Sequence, residues 1–329
     1  MIKRILTALL AVSLALTGFT GCGERERDDT LKIVCTVFPV YEWARNIVGD
    51  AENVELIWLV QNGTDSHSYQ PTTADIVHMI SCDLLLYVGS DPETWVEACL
   101  ENRRSDDRMV VDLSKAEGVT LREISAESVL HEEHDHDHDH DHDHGATDEH
   151  LWLSLRNAMA CGTEIADLLC TLDPDGAERY RANWASYQQQ LRDLDEAYVQ
   201  AVAEARTPSV LVADRFPFVY LTEDYGIRYV AAFEGCTTEA EATPDTVIHL
   251  ADHVDEWGLT FIVVTEGSDR SLAEGVRRAT KTKNQEIAVL HSLQSVSRRQ
   301  AEEGATYLGI MEENLRTLCR VMDSPWEKG

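Results

Sequence analysis

The sequence predicts an α/β protein of two doubly wound α/β lobes with parallel sheets, joined by one long rigid helix. Short continuous apolar runs alternate with helix-like stretches, first between residues 31 and 113 and again between 209 and 290. Runs that are apolar throughout, rather than at every second position, fit strands buried on both faces of a parallel sheet. Between the two series, Pro174 is followed by no further proline until Pro208, and a single apolar stripe fills the interval. A chain of 329 residues with a 43% apolar fraction also exceeds the usual single-domain size, so two domains are expected.

In order, "LKIVCTV" (31–37) is the first strand and "YEWARNIVGD" a helix. "VELIWLV" (54–60) is the second strand, residues 73–81 a helix, "LLLYVG" (84–89) the third strand, 93–101 a helix and "MVVDL" (109–113) the fourth strand. The second half repeats the scheme with "SVLVA" (209–213), "IRYVAAF" (227–233), "LTFIVVT" (259–265) and "EIAVL" (286–290). Thr243 caps one of its helices with Pro244 at the first position, and a final helix runs from about Gln300 to Met322. In the connector, Asp173 is the cap and Pro174 the first residue, and Tyr180, Trp184, Tyr187, Leu191, Leu194, Tyr198 and Val202 form the stripe. The expected boundaries are an N-terminal lobe over 31–172, a connecting helix over 173–207 and a C-terminal lobe over 208–329. A ligand belongs at the carboxyl ends of the strands.

Residues 1–22 read as a targeting segment: "MIKR" is a positive start, "ILTALLAVSLAL" an apolar stretch too short for a comfortable membrane span, and "TGFTGC" a run of small residues ending in cysteine. This resembles a bacterial lipoprotein signal in which Cys22 is lipidated, with residues 23–30 as a polar tether. It implies an extracytoplasmic protein held to the cell membrane. Acidic residues outnumber basic ones 59 to 28, for a net charge of −31, which argues against nucleic acid or anionic lipid as partners and suits a cation. Seven further cysteines occur with no C-x-x-C pair. Free buried thiols are the main expectation, and a Cys35–Cys82 disulfide across neighbouring strands is the alternative.

Residues 131–144 hold His131, His134, His136, His138, His140, His142 and His144, interleaved with acidic residues. This composition cannot build a core. It offers many interchangeable imidazole and carboxylate donors, an auxiliary loop that collects ions weakly. The principal site needs fixed donors. His67 lies in "NGTDSHSYQPT" (62–72), a loop shaped by Gly63 and Pro71, and His150 lies in "DEHLWLS" (148–154), where the histidine run returns to ordered chain.

The succession "VCTVFPVYEWARNIVGD", "NGTDSHSYQPTTADI", "CDLLLYVG", a histidine-rich insert, "DEHLWLSLRNA", "LDPDGAERYRANWASY" and "TYLGIMEENLRTL" resembles the zinc and manganese class of ABC-transporter solute-binding lipoproteins over roughly residues 31–322. The resemblance implies a divalent metal held between the lobes, with His67 and His150 as ligands. In the C-terminal lobe the pattern is broken. The third-ligand position falls on Arg215 in "VADRFPFVYLTEDYG", leaving Asp214 as the nearest donor, and the acidic fourth ligand corresponds to Glu266 or Asp269 in "EGSDRS". Two imidazoles with one or two carboxylates suit Zn2+, with Mn2+ as the alternative. The implied partners are the metal ion, the ABC permease of a metal importer and, through the anchor, the membrane, with the protein a monomer. The competing readings are a manganese-specific protein of the same class, a metal-storage or adhesin lipoprotein, and a secreted metalloenzyme. Neither H-E-x-x-H nor G-x-S-x-G occurs to support the last, so no enzymatic activity is expected.

Overall fold

The computed structural model describes residues 30–63, 68–89, 93–100, 109–123, 147–233, 235 and 242–326. Among these, two four-stranded parallel sheets stand at the centre of the chain. The first takes β1 (Leu31–Cys35), β2 (Val54–Trp58), β3 (Leu84–Tyr87) and β4 (Met109–Asp112) in the order β2-β1-β3-β4. The second takes β5 (Ser209–Val212), β6 (Arg228–Ala231), β7 (Phe261–Thr265) and β8 (Glu286–Leu290) in the order β6-β5-β7-β8. Parallel neighbours require crossovers. Helices α1 (Phe38–Val48), α2 (Thr73–Ser81) and α3 (Thr94–Leu100) supply them in the first sheet. Helices α4 (Leu155–Leu172) and α5 (Ala177–Ala203) link the sheets, α6 (Val219–Tyr225), α7 (Pro244–Trp257) and α8 (Ser271–Ala279) serve the second, and α9 (Arg298–Glu302) and α10 (Tyr307–Val321) follow. No helix among the described residues is long and apolar enough to cross a membrane.

All eight expected strands form, several of them shorter at their carboxyl ends. β1 stops at Cys35 because the chain turns directly into α1, whose first turn contains Pro39. Thr243 caps α7 as expected, its hydroxyl accepting the Thr246 N–H at 3.1 Å with Pro244 in the first turn. The expected final helix is in fact two. Gly304, at φ 103°, takes a left-handed conformation that interrupts the run, and Thr306 then starts α10 by accepting the Gly309 N–H at 3.0 Å.

The connector begins with one 3-10 turn at Pro174–Gly176, where the Asp173 carboxylate accepts the Gly176 N–H at 3.2 Å. It continues as α5, whose 27 residues span about 40 Å. Its expected stripe is buried from Tyr180 through Trp184, Tyr187, Leu191 and Leu194 to Tyr198, while Val202 at its end is only partly buried. Asn183 Nδ2 donates to the Ile47 carbonyl at 3.0 Å in α1, and Tyr198 Oη donates to the Met311 carbonyl at 2.6 Å in α10. The helix therefore grips both halves. Gly162 lets α4 approach it, since a Cβ there would meet the Trp184 ring at 2.2 Å. Beyond Ala205 the chain bonds elsewhere, with Thr207 N–H donating to the Met322 carbonyl at 3.0 Å.

Side chains alternate between sheet faces. Ile33, Cys35, Leu84 and Leu86 point into the same apolar cluster as Val210, Val212, Val263 and Leu290, together with the α5 stripe, so the inner faces of both lobes share one core. Outer faces have their own: Val34, Leu85 and Met79 in the first lobe, and Leu211, Ile262, Val264, Leu250 and Val254 in the second. Cys35, Cys82, Cys161 and Cys319 are buried, and Cys35 and Cys82 are not bridged to each other. Burial pushes the Cys35 and Cys161 thiols far up from their ordinary range, which makes them inert apolar residues.

Candidate metal centre

Each strand order reverses once, between β1 and β3 and between β5 and β7. Such switch points open a crevice at the carboxyl ends of the strands, and here the loops leaving those ends meet across the two lobes. Asn62 bridges Ser297, and the Arg298 N–H donates to the Gln61 carbonyl at 2.7 Å. The Trp152 indole N–H donates to the Ser292 carbonyl at 2.8 Å, while Tyr307 Oη donates to the Trp152 carbonyl at 2.6 Å.

His150 sits fully buried at this junction, just before a 3-10 turn at Leu151–Leu153. Asp148 Oδ1 accepts the His150 backbone N–H at 2.8 Å and lies 3.0 Å from Nδ1. A carboxylate at Nδ1 holds the proton there and leaves the Nε2 lone pair for a Lewis acid, the arrangement found behind metal-bound histidines. Asp148 is itself held from the other lobe, because Tyr220 Oη donates to its carbonyl at 2.8 Å. Around Nε2 stand Glu149, with Oε1 at 3.5 Å, and Gln294, whose side-chain amide donates to it. Among the described residues, Asp148, Glu149 and His150 are the one group of three or more such donors whose atoms all lie within 4.8 Å of one another. Imidazole nitrogen with carboxylate oxygens is a mixed shell that fits a borderline divalent ion.

The second lobe contributes a cavity of about 520 Å³ lined by Arg215, Thr265, Glu266, His291, Gln294 and neighbouring residues. Glu266 reaches this wall, but its oxygens are already engaged: Oε2 accepts the Ser292 N–H at 2.7 Å, and Oε1 accepts Ser292 Oγ at 2.6 Å and Ser295 Oγ at 3.1 Å. Asp214 ties the switch point together, accepting the Arg215 N–H at 2.9 Å and Thr265 Oγ1 at 2.8 Å. Asp269 is on the surface. It accepts the Ser271 N–H at 2.8 Å at the start of α8, and that bond holds its carboxyl below the ordinary range. The structure therefore brings Glu266 to the cleft wall, gives Asp214 a bracing role beside it and leaves Asp269 outside the lining. His67, the 131–144 run and Cys22 lie outside the described residues.

Three cleft residues escaped the sequence reading. Gln294 and His291 follow β8, a strand whose carboxyl end obeys the same crevice rule as the others, and Glu149 adjoins a residue that was recognised. Leu293, buried at φ 65°, precedes Gln294. A left-handed leucine is costly and persists where its surroundings fix it, here in the loop that delivers Gln294. His291 lies 3.3 Å from Glu266, and burial lowers its pKa below the usual histidine value despite that neighbour.

A family model described as zinc-uptake complex component A, periplasmic, matches residues 33–321. The zinc-binding lipoprotein AdcA of Streptococcus pneumoniae strain R6 is 32% identical over 317 residues, covering 96% of this chain and 61% of that relative. This chain thus spans about three fifths of the length of AdcA. The high-affinity zinc uptake system protein ZnuA of Bacillus subtilis is 30% identical over 315 residues, covering 95% of this chain and 94% of that protein. Among solved structures, the Zn(II)-bound ZnuA-like domain of S. pneumoniae AdcA superposes with a TM-score of 0.71 at 26% identity, over 90% of this chain and 100% of that domain. Paired parallel sheets, a single long connecting helix and a match running across both lobes have one consistent explanation: the chain belongs to the zinc-uptake complex component A family.

Proposed function

We propose that this protein captures a divalent transition metal, zinc first, outside the cytoplasm and hands it to the membrane permease of an ABC importer. One observation carries the reading: a fully buried imidazole, His150, with Nδ1 secured by Asp148 and Nε2 turned toward donors from both lobes. Relatives named as zinc-binding and zinc-uptake proteins support it. His150 is then one ligand and Glu149 a second. Gln294 serves through its amide oxygen after the amide rotates, and His67 completes the set. Arg215 stands where the family pattern has its third ligand, and a guanidinium has no lone pair to give. Glu149 and Gln294 make good that loss, while Glu266, Asp214 and Asp269 shape loops. The metal is cargo. Cys22 anchors the chain to the membrane, residues 131–144 raise the local ion concentration, and the two lobes with their connector act as one monomer.

Zinc is preferred to manganese because imidazole nitrogen and a small ligand set favour it. Calorimetric titration of Zn2+ and Mn2+ into the metal-stripped chain tests the whole reading. The expected result is one tight zinc site, weaker manganese binding and loss of the tight site in His150→Ala. Unchanged tight binding in that variant overturns the assignment, and tighter manganese than zinc overturns the choice of cargo.

A further inference from the structure

A second set of metal donors lies away from the cleft, on the outer surface of the C-terminal lobe. His249 and His253 are one turn apart on α7, with Nε2 atoms 3.0 Å from each other and rings stacked at 4.9 Å and 25°. They share a surface hollow of about 340 Å³ with Asp245, Asp252 and Glu256. None of these residues lines the cleft cavity.

Two imidazole nitrogens on one ion, each about 2.0–2.1 Å from it, stand roughly 2.9 Å apart at a right angle and roughly 3.4 Å apart at the tetrahedral angle. The observed 3.0 Å falls on that edge of a coordination polyhedron. In the metal-free protein one ring donates to the other, which water can equally do on an exposed helix, so the pair gains little by meeting unless a cation draws both lone pairs. His253 is held in place from behind. Its ring packs 5.2 Å from Trp257, and the Arg228 guanidinium sits 3.9 Å over that indole. Its Nδ1 is buried without a hydrogen-bond partner and lies 3.9 Å from the Glu256 carboxylate. Burial and the neighbouring His249 lower the His253 pKa, favouring the neutral ring that a metal requires, against the opposing pull of Glu256 and Asp252.

We propose that His249 and His253 chelate a divalent transition metal of the copper, nickel or zinc kind on the face of α7, with water filling the remaining positions. Two imidazoles at this spacing on a helix form a short, rigid chelate and discriminate against the oxygen-seeking magnesium and calcium. The site is independent of the cleft and stands whether or not His150 holds zinc.

The test is residue-resolved. The full chain is treated with diethyl pyrocarbonate with and without Zn2+ or Cu2+, and modification of each histidine is read by mass spectrometry. The metal should protect His249 and His253 together in the wild type and in His150→Ala, while magnesium gives no protection. In equilibrium dialysis, His249→Gln/His253→Gln should bind about one ion fewer per chain and keep the tight cleft site. Equal modification of both rings with and without metal, or unchanged stoichiometry in the double variant, overturns the proposal. Loss of the tight site in His150→Ala with the α7 protection intact separates this inference from the cleft reading.

Discussion

On the N-terminal wall of the cleft, Asp148 gives an oxygen to the His150 ring and Glu149 stands 3.5 Å from its free edge. On the C-terminal wall, Glu266 gives its oxygens to Ser292 and Ser295, and Asp214 gives its own to Arg215 and Thr265. Both walls are acidic, yet among the described residues only the first gathers an imidazole and two carboxylates whose ligand atoms lie within 4.8 Å of one another. Proximity to a crevice does not make a carboxylate a ligand. What matters is whether the N–H and O–H groups of a rigid loop have already claimed its oxygens, because leaving each of those buried donors unsatisfied costs about 1–3 kcal/mol.

This contrast can be broken at several points. The largest effect belongs to His150→Ala, which should weaken zinc binding more than 1000-fold, about 4 kcal/mol, in calorimetry; a loss below tenfold places the ion elsewhere. Next, Glu266→Gln puts an amide where Ser292 N–H and two hydroxyls expect a carboxylate. Urea unfolding should show a loss of about 1.5–3 kcal/mol with zinc affinity within tenfold of wild type, and the reverse pattern would make Glu266 a ligand. Asp148→Ala should lower zinc affinity about 10–100-fold by freeing the ring to rotate, measured in the same titration.

The N-terminal lobe has a bracing carboxylate of its own. Glu93 Oε2 accepts the Val88 and Gly89 N–H groups at 2.6 and 3.2 Å, and burial pushes its pKa up to about 7 from 4.5. The folded chain holds that proton more tightly than the unfolded chain. Its contribution is therefore complete below about pH 4.5 and is lost as pH rises through about 7. Glu93→Gln keeps one acceptor for both N–H groups and should flatten this slope, making the variant more stable than wild type by roughly 2 kcal/mol at pH 8; equal pH profiles from denaturation curves would refute it. The smallest effect is expected of Asp269→Ala, with no change in zinc affinity by titration.

The strands were legible because parallel, doubly buried strands leave uninterrupted apolar runs, and the connector because a 27-residue helix repeats its stripe many times. The break at Gly304 was not, since helix-forming residues stand on both sides of it and a single glycine is tolerated in many helices. At the cleft, His150 stood out by type and position, whereas Gln294 is a neutral side chain whose importance comes from Leu293 turning it toward another lobe. Asp269 shows the converse ambiguity: an acidic residue between a strand and a helix is as apt to cap the helix as to meet an ion.

The Trp152 indole stands edge-on to His150, ring centres 5.3 Å apart at 69°. A chromophore so close to the proposed ligand makes the protein its own optical gauge. Arrival of a doubly charged ion beside that ring alters its excited state, so emission intensity tracks occupancy in real time without any added dye. Replacing Trp152 with phenylalanine silences the gauge while the other six indoles stay lit, and loading and unloading can be timed by stopped flow on the unlabelled molecule.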